Sequence, residues 1–307
     1  MANNKLLVIV GPTAIGKSQF AIEIAQQYSG EIINADSRQI YKLLNIGTSK
    51  PNIDDQSIIN HHLIDIKYPN EAYNLSMFLS DCKKSIDKIQ NSSNLPILVG
   101  GTGQYIWALL ENWQPPNIKP DEELRSHLFK ESLDFGKEYL HNKLFNLNPE
   151  SANRIDLRNT RRVIRAIEVE LNKNTIDIST NNNKFNIYDL NILIIGLTVN
   201  REILYKKIDL RVDKMIESGW IEETKNILSK GYDIKLPSLS SLGYSEIISY
   251  LNRGGELSEV INLTKFRTHK FARRQYTWFK SSDERITWFD IQTELNNAKQ
   301  YINNWLL

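Results

Sequence analysis

The stretch GPTAIGKS, residues 11–18, constrains this chain more than any other. It fits G-x-x-x-x-G-K-[ST] at every fixed position. Before it, Leu6 to Val10 is a continuous apolar run, the pattern of a strand buried on both faces of a parallel sheet. After it, Phe20, Ile24 and Tyr28 recur at helical spacing. Strand, Gly-rich loop and helix in that order predict a P-loop, and with it an α/β fold: a P-loop NTPase-like parallel sheet flanked by helices. Gly11 and Gly16 let the backbone N–H groups of the loop turn inward around a phosphate, and the helix N-terminus adds positive partial charge. Lys17 supplies a point charge, and the Ser18 hydroxyl is a ligand for Mg²⁺. The competing reading, a chance match in an ordinary Gly turn, lacks this context. A P-loop binds a di- or triphosphate without specifying the reaction, so the default is a nucleotide kinase or an NTPase.

Other segments argue against that default. The N-K-x-D and D-x-x-G motifs of GTPases are missing. A second strand, Glu31 to Ala35, runs into Asp36-Ser37-Arg38-Gln39. Asp36 thus falls just past the C-terminal edge of a strand, where open α/β sheets bind ligands. The alternative makes Asp36 or Ser37 the cap of a helix over 38–41. A third strand, Pro96 to Val99, ends in Gly100-Gly101-Thr102-Gly103. That end offers close backbone approach and a hydroxyl, but no carboxylate to organise metal and water as an ATPase needs.

The 307 residues suffice for one large α/β domain or two smaller ones. With a formal net charge of only +2, an anionic partner must be met by local patches. Two exist. Arg158, Arg161, Arg162 and Arg165 lie at i, i+3, i+4 and i+7, one face of a helix, with Ile164, Ile167 and Leu171 on another. Residues 261–280 carry Lys265, Arg267, Lys270, Arg273, Arg274 and Lys280, interleaved with five aromatics and free of acidic residues. A solvated face is the ordinary explanation of one charge run; two in a nearly neutral chain point to nucleic-acid phosphates. Cys82 stands alone, so no internal disulfide forms. The chain shows neither a signal peptide nor a run of ~20 apolar residues that would span a membrane. A cytoplasmic protein without membrane association is expected. His61-His62 is adjacent, a poor metal pair, and reads as structural.

Six ordered segments carry a more specific signal: INADSRQIY at 33–41, IGTSKP at 46–51, HHLID at 61–65, PILVGGTGQYI at 96–106, RRVIRAIEV at 161–169 and FARRQYTWF at 271–279. Together they resemble the bacterial tRNA dimethylallyltransferases, also called tRNA isopentenyltransferases, over nearly the whole chain. Ile15, Gln104 and Ser245 depart from the family's pattern; none removes a side chain assigned to chemistry, although Gln104 touches the shape of the Gly101–Gln104 turn. The resemblance implies transfer of a dimethylallyl group from dimethylallyl diphosphate to the exocyclic N6 of the tRNA adenosine following the anticodon, position 37. The diphosphate is a leaving group. Asp36 resembles the general base, and Thr102 the residue that contacts the bridging oxygen. Gly11, Pro12, Thr13, Ala14, Ile15, Gly16, Lys17 and Ser18 would hold the diphosphate, with Arg211 and with Mg²⁺ on Ser18. Asp36, Ser37, Arg38, Gln39 and Thr102 would meet an extruded adenosine. Further tRNA contacts fall on Arg125, Arg161, Arg162, Val163, Ile164, Arg165, Lys270, Arg273 and Arg274.

The expected organisation is a P-loop core over 1–120, a helical insertion over 121–186 that grips tRNA, and a return to the core over 187–307 ending in basic helices, acting as a monomer. Residues 172–186 are Asn-rich and read as a loop. Three rivals remain at this point: an adenylate isopentenyltransferase acting on a free nucleotide, a small-molecule kinase, and an RNA-binding module with a vestigial loop. The first would not need the arginine stripe, and the last would not need Lys17, Ser18 and Asp36 together.

Overall fold

The computed structural model describes residues 4–116, 118–173 and 186–307. The chain divides into two compact units, Met1–Trp113 with Lys184–Leu307, and Gln114–Asn183. The second unit begins at Gln114, seven residues before the boundary read from the sequence. In chain order the first unit contains β1 (Lys5–Val10), α1 (Lys17–Gln27), β2 (Gly30–Asn34), α2 (Ile53–Ile58), β3 (His61–His62), α3 (Leu75–Asn91), β4 (Leu95–Val99) and α4 (Gly103–Leu110). The second holds α5 (Glu122–Asp134), α6 (Lys137–Leu147), α7 (Pro149–Arg154) and α8 (Thr160–Leu171). The first then resumes with β5 (Asn191–Thr198), α9 (Arg201–Glu217), α10 (Trp220–Ser229), α11 (Tyr244–Arg253), α12 (Leu257–Trp278), β6 (Ile286–Asp290) and α13 (Leu295–Leu306).

All six strands run parallel in the order β3-β2-β4-β1-β5-β6. The alternation of β1 explains its unbroken apolar sequence. Leu7 and Ile9 enter one core with α1, α9 and α13, whereas Leu6, Val8 and Val10 enter the other with α3 and α4. The edge strand β6 was not foreseen. The region after 201 reads as mostly helical, and the five residues ITWFD are too short a run to separate strand from helix.

This order sets the C-terminal ends of β1, β4 and β2 side by side. Gly100 N–H donates to the Ile9 carbonyl at 3.3 Å, Ala35 N–H to Val99 at 2.8 Å and Thr102 N–H to Ala35 at 3.3 Å. Gly100 permits this approach, because a Cβ there would lie 2.3 Å from the Ala35 carbonyl oxygen. The P-loop, the GGTG turn and Asp36 are therefore brought to one edge by backbone pairing.

The second unit has its own core of Leu128, Leu140, Leu144, Ala152, Val163, Ile164 and Ile167. Most of the Asn-rich loop expected at 172–186 lies outside the described residues. No helix among the described residues is long and apolar enough to cross a membrane.

Candidate active site

The P-loop leaves β1 at Gly11 and enters α1 through Gly16, whose left-handed φ of 106° suits glycine. Ala14 also lies in the left-handed region. Ile15, the bulky departure from the family's pattern, is buried in the core beside Phe20 and Ile24 and does not face the ligand edge. Lys17 folds back and donates to the Pro12 carbonyl at 2.7 Å. Burial pushes its ammonium down to about 7; repulsion from Arg211 adds to this, and Asp36 opposes it.

Arg211, on α9, reaches across to the loop. Its Nε donates to the Ser49 hydroxyl at 2.7 Å and its Nη1 to the Thr13 hydroxyl at 3.1 Å. Burial lowers its pKa, with Asp36 again opposing. Two half-buried cations thus stand beside the loop, a setting that suits an anion.

Two cavities meet here. The smaller, ≈ 350 Å³, is lined by the P-loop residues Thr13, Ala14, Gly16, Lys17 and Ser18 together with His61 and Gly100. The larger, ≈ 960 Å³, is lined by Ser37, Arg38, Thr102, Gln104, Trp220, Ser245, Lys270, Arg273 and Arg274, among others. Asp36, Arg211, Gly101, Phe271 and Gln275 line both. Asp36 thus stands at the junction, and one of its oxygens, Oδ1, accepts the Arg38 N–H at 2.8 Å. That bond closes a turn; residues 38–41 form no helix, so the capping alternative is not met.

Thr102 is the N-cap residue of α4. Its hydroxyl oxygen accepts the Ser37 N–H at 3.2 Å, which leaves its own proton for another acceptor. Gln39 spends both amide hydrogens on the Thr48 and Ser49 carbonyls, and Arg38 donates to the Pro237 carbonyl. Gln104, exposed in the otherwise buried first turn of α4, rims the larger cavity, and Ser245 donates to Glu246 at 2.8 Å.

Gln275 is the residue that sequence reasoning missed most. Buried on α12, it accepts the Thr13 N–H at 2.7 Å and donates to the Gly101 carbonyl at 3.0 Å, tying the P-loop to the GGTG turn. Its signal is its place inside FARRQYTWF, where the arginines and aromatics draw attention and the amide does not. The basic run around it splits. Lys265 pairs with Asp213 and Arg267 with Glu246, while Lys270, Arg273 and Arg274 have no ion pair among the described residues and line the larger cavity. Phe279 is core and Phe271 faces both cavities.

In the second unit the arginine stripe is corrected. Helix α8 starts at Thr160, so Arg158 lies before it and pairs with Asp156. Glu168 is fully buried and binds Arg125, Arg165 and the Asp121 N–H. Burial pushes its carboxyl up, but the Arg125 bond, that N–H and Arg165 outweigh it and hold the group below the usual range. Arg165 also donates to the Pro116 and Ile118 carbonyls. Arg161 and Arg162 are exposed without ion pairs among the described residues. Val163 and Ile164 are core, at 0% and 6% exposure, so their side chains are unavailable to RNA. Leu171, expected on the buried side, is exposed at the last turn.

His61 and His62 form the short edge strand. His62 pairs with Glu31 at 2.7 Å, the structural role expected. No cluster of three metal-ligating His, Cys, Asp or Glu side chains occurs among the described residues.

A family model described as IPP transferase matches residues 39–282. The chain belongs to the IPP transferase family. A second model, isopentenyl transferase, matches residues 4–65, which include the P-loop. Among curated relatives in the IPP transferase family, the tRNA dimethylallyltransferase of Acetivibrio thermocellus is 41% identical over 98% of this chain and 96% of its own. That of Alkaliphilus oremlandii is 44% identical over 94% of this chain and 91% of its own. The solved tRNA isopentenylpyrophosphate transferase of Bacillus halodurans shares 35% identity, with a TM-score of 0.71 and coverage of 99% of this chain and 97% of that one. A eukaryotic dimethylallyltransferase acting on tRNA superposes with a TM-score of 0.80 at 28% identity, over 97% of this chain and 77% of its own. The parallel sheet and its flanking helices are thus the fold of an IPP transferase.

Proposed function

We propose that this chain transfers the dimethylallyl group of dimethylallyl diphosphate to N6 of the tRNA adenosine at position 37. The observation that carries this reading is Asp36 at the junction of two cavities, one lined by the P-loop and the other by Lys270, Arg273 and Arg274, which have no ion pair among the described residues. The diphosphate sits against the P-loop amides, Lys17 and Arg211, and the extruded adenine enters the larger cavity. Adenine N6 is a poor nucleophile because its lone pair is delocalised into the ring. Asp36 takes the N6 proton as nitrogen attacks the allylic carbon. The C–O bond breaks, and its electrons go to the diphosphate oxygen. The Thr102 hydroxyl donates to that bridging oxygen, while Lys17 and Arg211 meet the charge that develops there. The Ser18 hydroxyl lines the diphosphate cavity. A lone hydroxyl beside phosphate oxygens suits Mg²⁺, which keeps most of its waters. When bound, Mg²⁺ supplies further charge to offset the leaving group.

The deciding experiment is incubation with labelled dimethylallyl diphosphate and either tRNA or AMP. Label enters tRNA and not AMP. Label in AMP alone would transfer the chain to the free-nucleotide reading.

Arg161 and Arg162 are proposed to contact tRNA phosphates, with Lys270, Arg273 and Arg274 lining the adenosine cavity. Each neutralised phosphate releases counterions, so the double change R161A/R162A should flatten the log–log salt dependence of tRNA binding by about 1.5–2. Binding across a salt series measures this. Circular dichroism should hold, since alanine favours helix. An unchanged slope would remove both arginines from the interface.

A further inference from the structure

The segment IGTSKP, residues 46–51, takes no part in the chemistry above. In the fold it is a turn that supports Arg211. The Ser49 hydroxyl accepts Arg211 Nε at 2.7 Å, and Thr13 takes Nη1 at 3.1 Å. Two anchors on a planar guanidinium fix its plane and leave Nη2 for an anion. The direction of Arg211 therefore depends on where the turn holds Ser49.

Glu223, on α10, holds that turn from its other side. Its Oε2 accepts the N–H groups of Asn45 at 3.0 Å and Ile46 at 2.8 Å. Its Oε1 accepts the Gly47 N–H at 3.3 Å and the Tyr244 hydroxyl at 2.6 Å. Three successive backbone N–H groups converging on one anion form a nest, here filled by the protein's own carboxylate. Gly47 is required for this seat, because a Cβ there would lie 2.0 Å from Nε1 of Trp220, the buried first residue of α10. Four donors use the carboxylate within the protein, so its task is not to touch substrate.

We infer that Glu223 is a positioning residue for the diphosphate site, acting through the 45–49 turn and Ser49 on Arg211. This rests on the reading that Arg211 holds the diphosphate. Glu223→Gln retains a similar shape but sets an amide NH₂ against N–H or O–H donors. A misplaced guanidinium loses a charge-assisted hydrogen bond to the anion, which is about 10- to 100-fold in affinity. Glu223→Gln should therefore weaken binding of dimethylallyl diphosphate by about 10- to 100-fold, with tRNA affinity unchanged.

The test uses the full chain and calorimetric titration with dimethylallyl diphosphate and, separately, with inorganic diphosphate, alongside tRNA binding. S49A, E223Q and the double variant form a cycle. If Glu223 acts through Ser49, the double variant binds diphosphate little worse than the weaker single one. Tyr244→Phe removes one bond to the same carboxylate and should give a smaller loss in the same direction. Full diphosphate affinity in either E223Q or Tyr244→Phe, loss of tRNA affinity in both, or additive losses in the cycle overturns the assignment. Wild-type protein that binds diphosphate but modifies no tRNA would sink the functional reading instead, and leave the clamp to be judged by binding alone.

Discussion

Asp36→Asn is expected to lower the transfer rate by about 10²–10⁴-fold, the usual cost of removing a general base. That range corresponds to about 3–5.5 kcal/mol of barrier. The change keeps shape and an oxygen acceptor, so the bond from the Arg38 N–H at 2.8 Å survives, and the turn after β2 with it. Both substrates should remain bound. What is lost is the ability to accept the N6 proton, without which the nitrogen carries positive charge as it attacks. Single-turnover transfer at saturating substrates separates these effects, and near-normal turnover would exclude Asp36 as the base.

Lys17→Ala should reduce the transfer rate by about 10²–10³-fold, the scale of losing one preorganised group aimed at developing charge. Affinity for dimethylallyl diphosphate should fall as well. tRNA affinity should survive, because Lys17 lines the P-loop cavity and not the larger one. Stability should not fall either. Burial and the nearby Arg211 both disfavour the Lys17 ammonium, so the free protein loses a strained charge when it is removed. Thermal unfolding without ligand is therefore expected at the wild-type temperature or above it. Matched loss of tRNA binding in the absence of diphosphate would contradict this geometry. The wild-type protein should show no ATP hydrolysis stimulated by tRNA, and a robust one would return it to the NTPases.

The sequence alone determined the P-loop, because that site is local. Its strand, turn, lysine and hydroxyl are consecutive, and each imposes a pattern readable over a few residues. Asp36 and Thr102 were legible only as residues that follow short apolar strands, and the roles proposed for them came from the resemblance to the family. The quoted segments also sufficed to point to the family, since their order along the chain is itself information.

Tertiary structure decided what depends on partners far apart in sequence. The arginine stripe had the right spacing, but Glu168 is buried between Arg125 and Arg165, and a buried carboxylate must be paired to remain charged. Val163 and Ile164 sit within the same motif as those arginines, yet burial assigned them to the core. Gln275 and Glu223 were invisible for a different reason. An amide or a carboxylate on a helix is an ordinary surface residue until the fold sets a loop against it. Here the order β2-β4-β1 gathers three strand ends at one edge, and α9, α10 and α12 close over them. Only that closure turns Gln275 into the tie between the P-loop and the GGTG turn and Glu223 into the anchor of the 45–49 turn, because unpaired backbone groups in such turns must find partners wherever the packing supplies them.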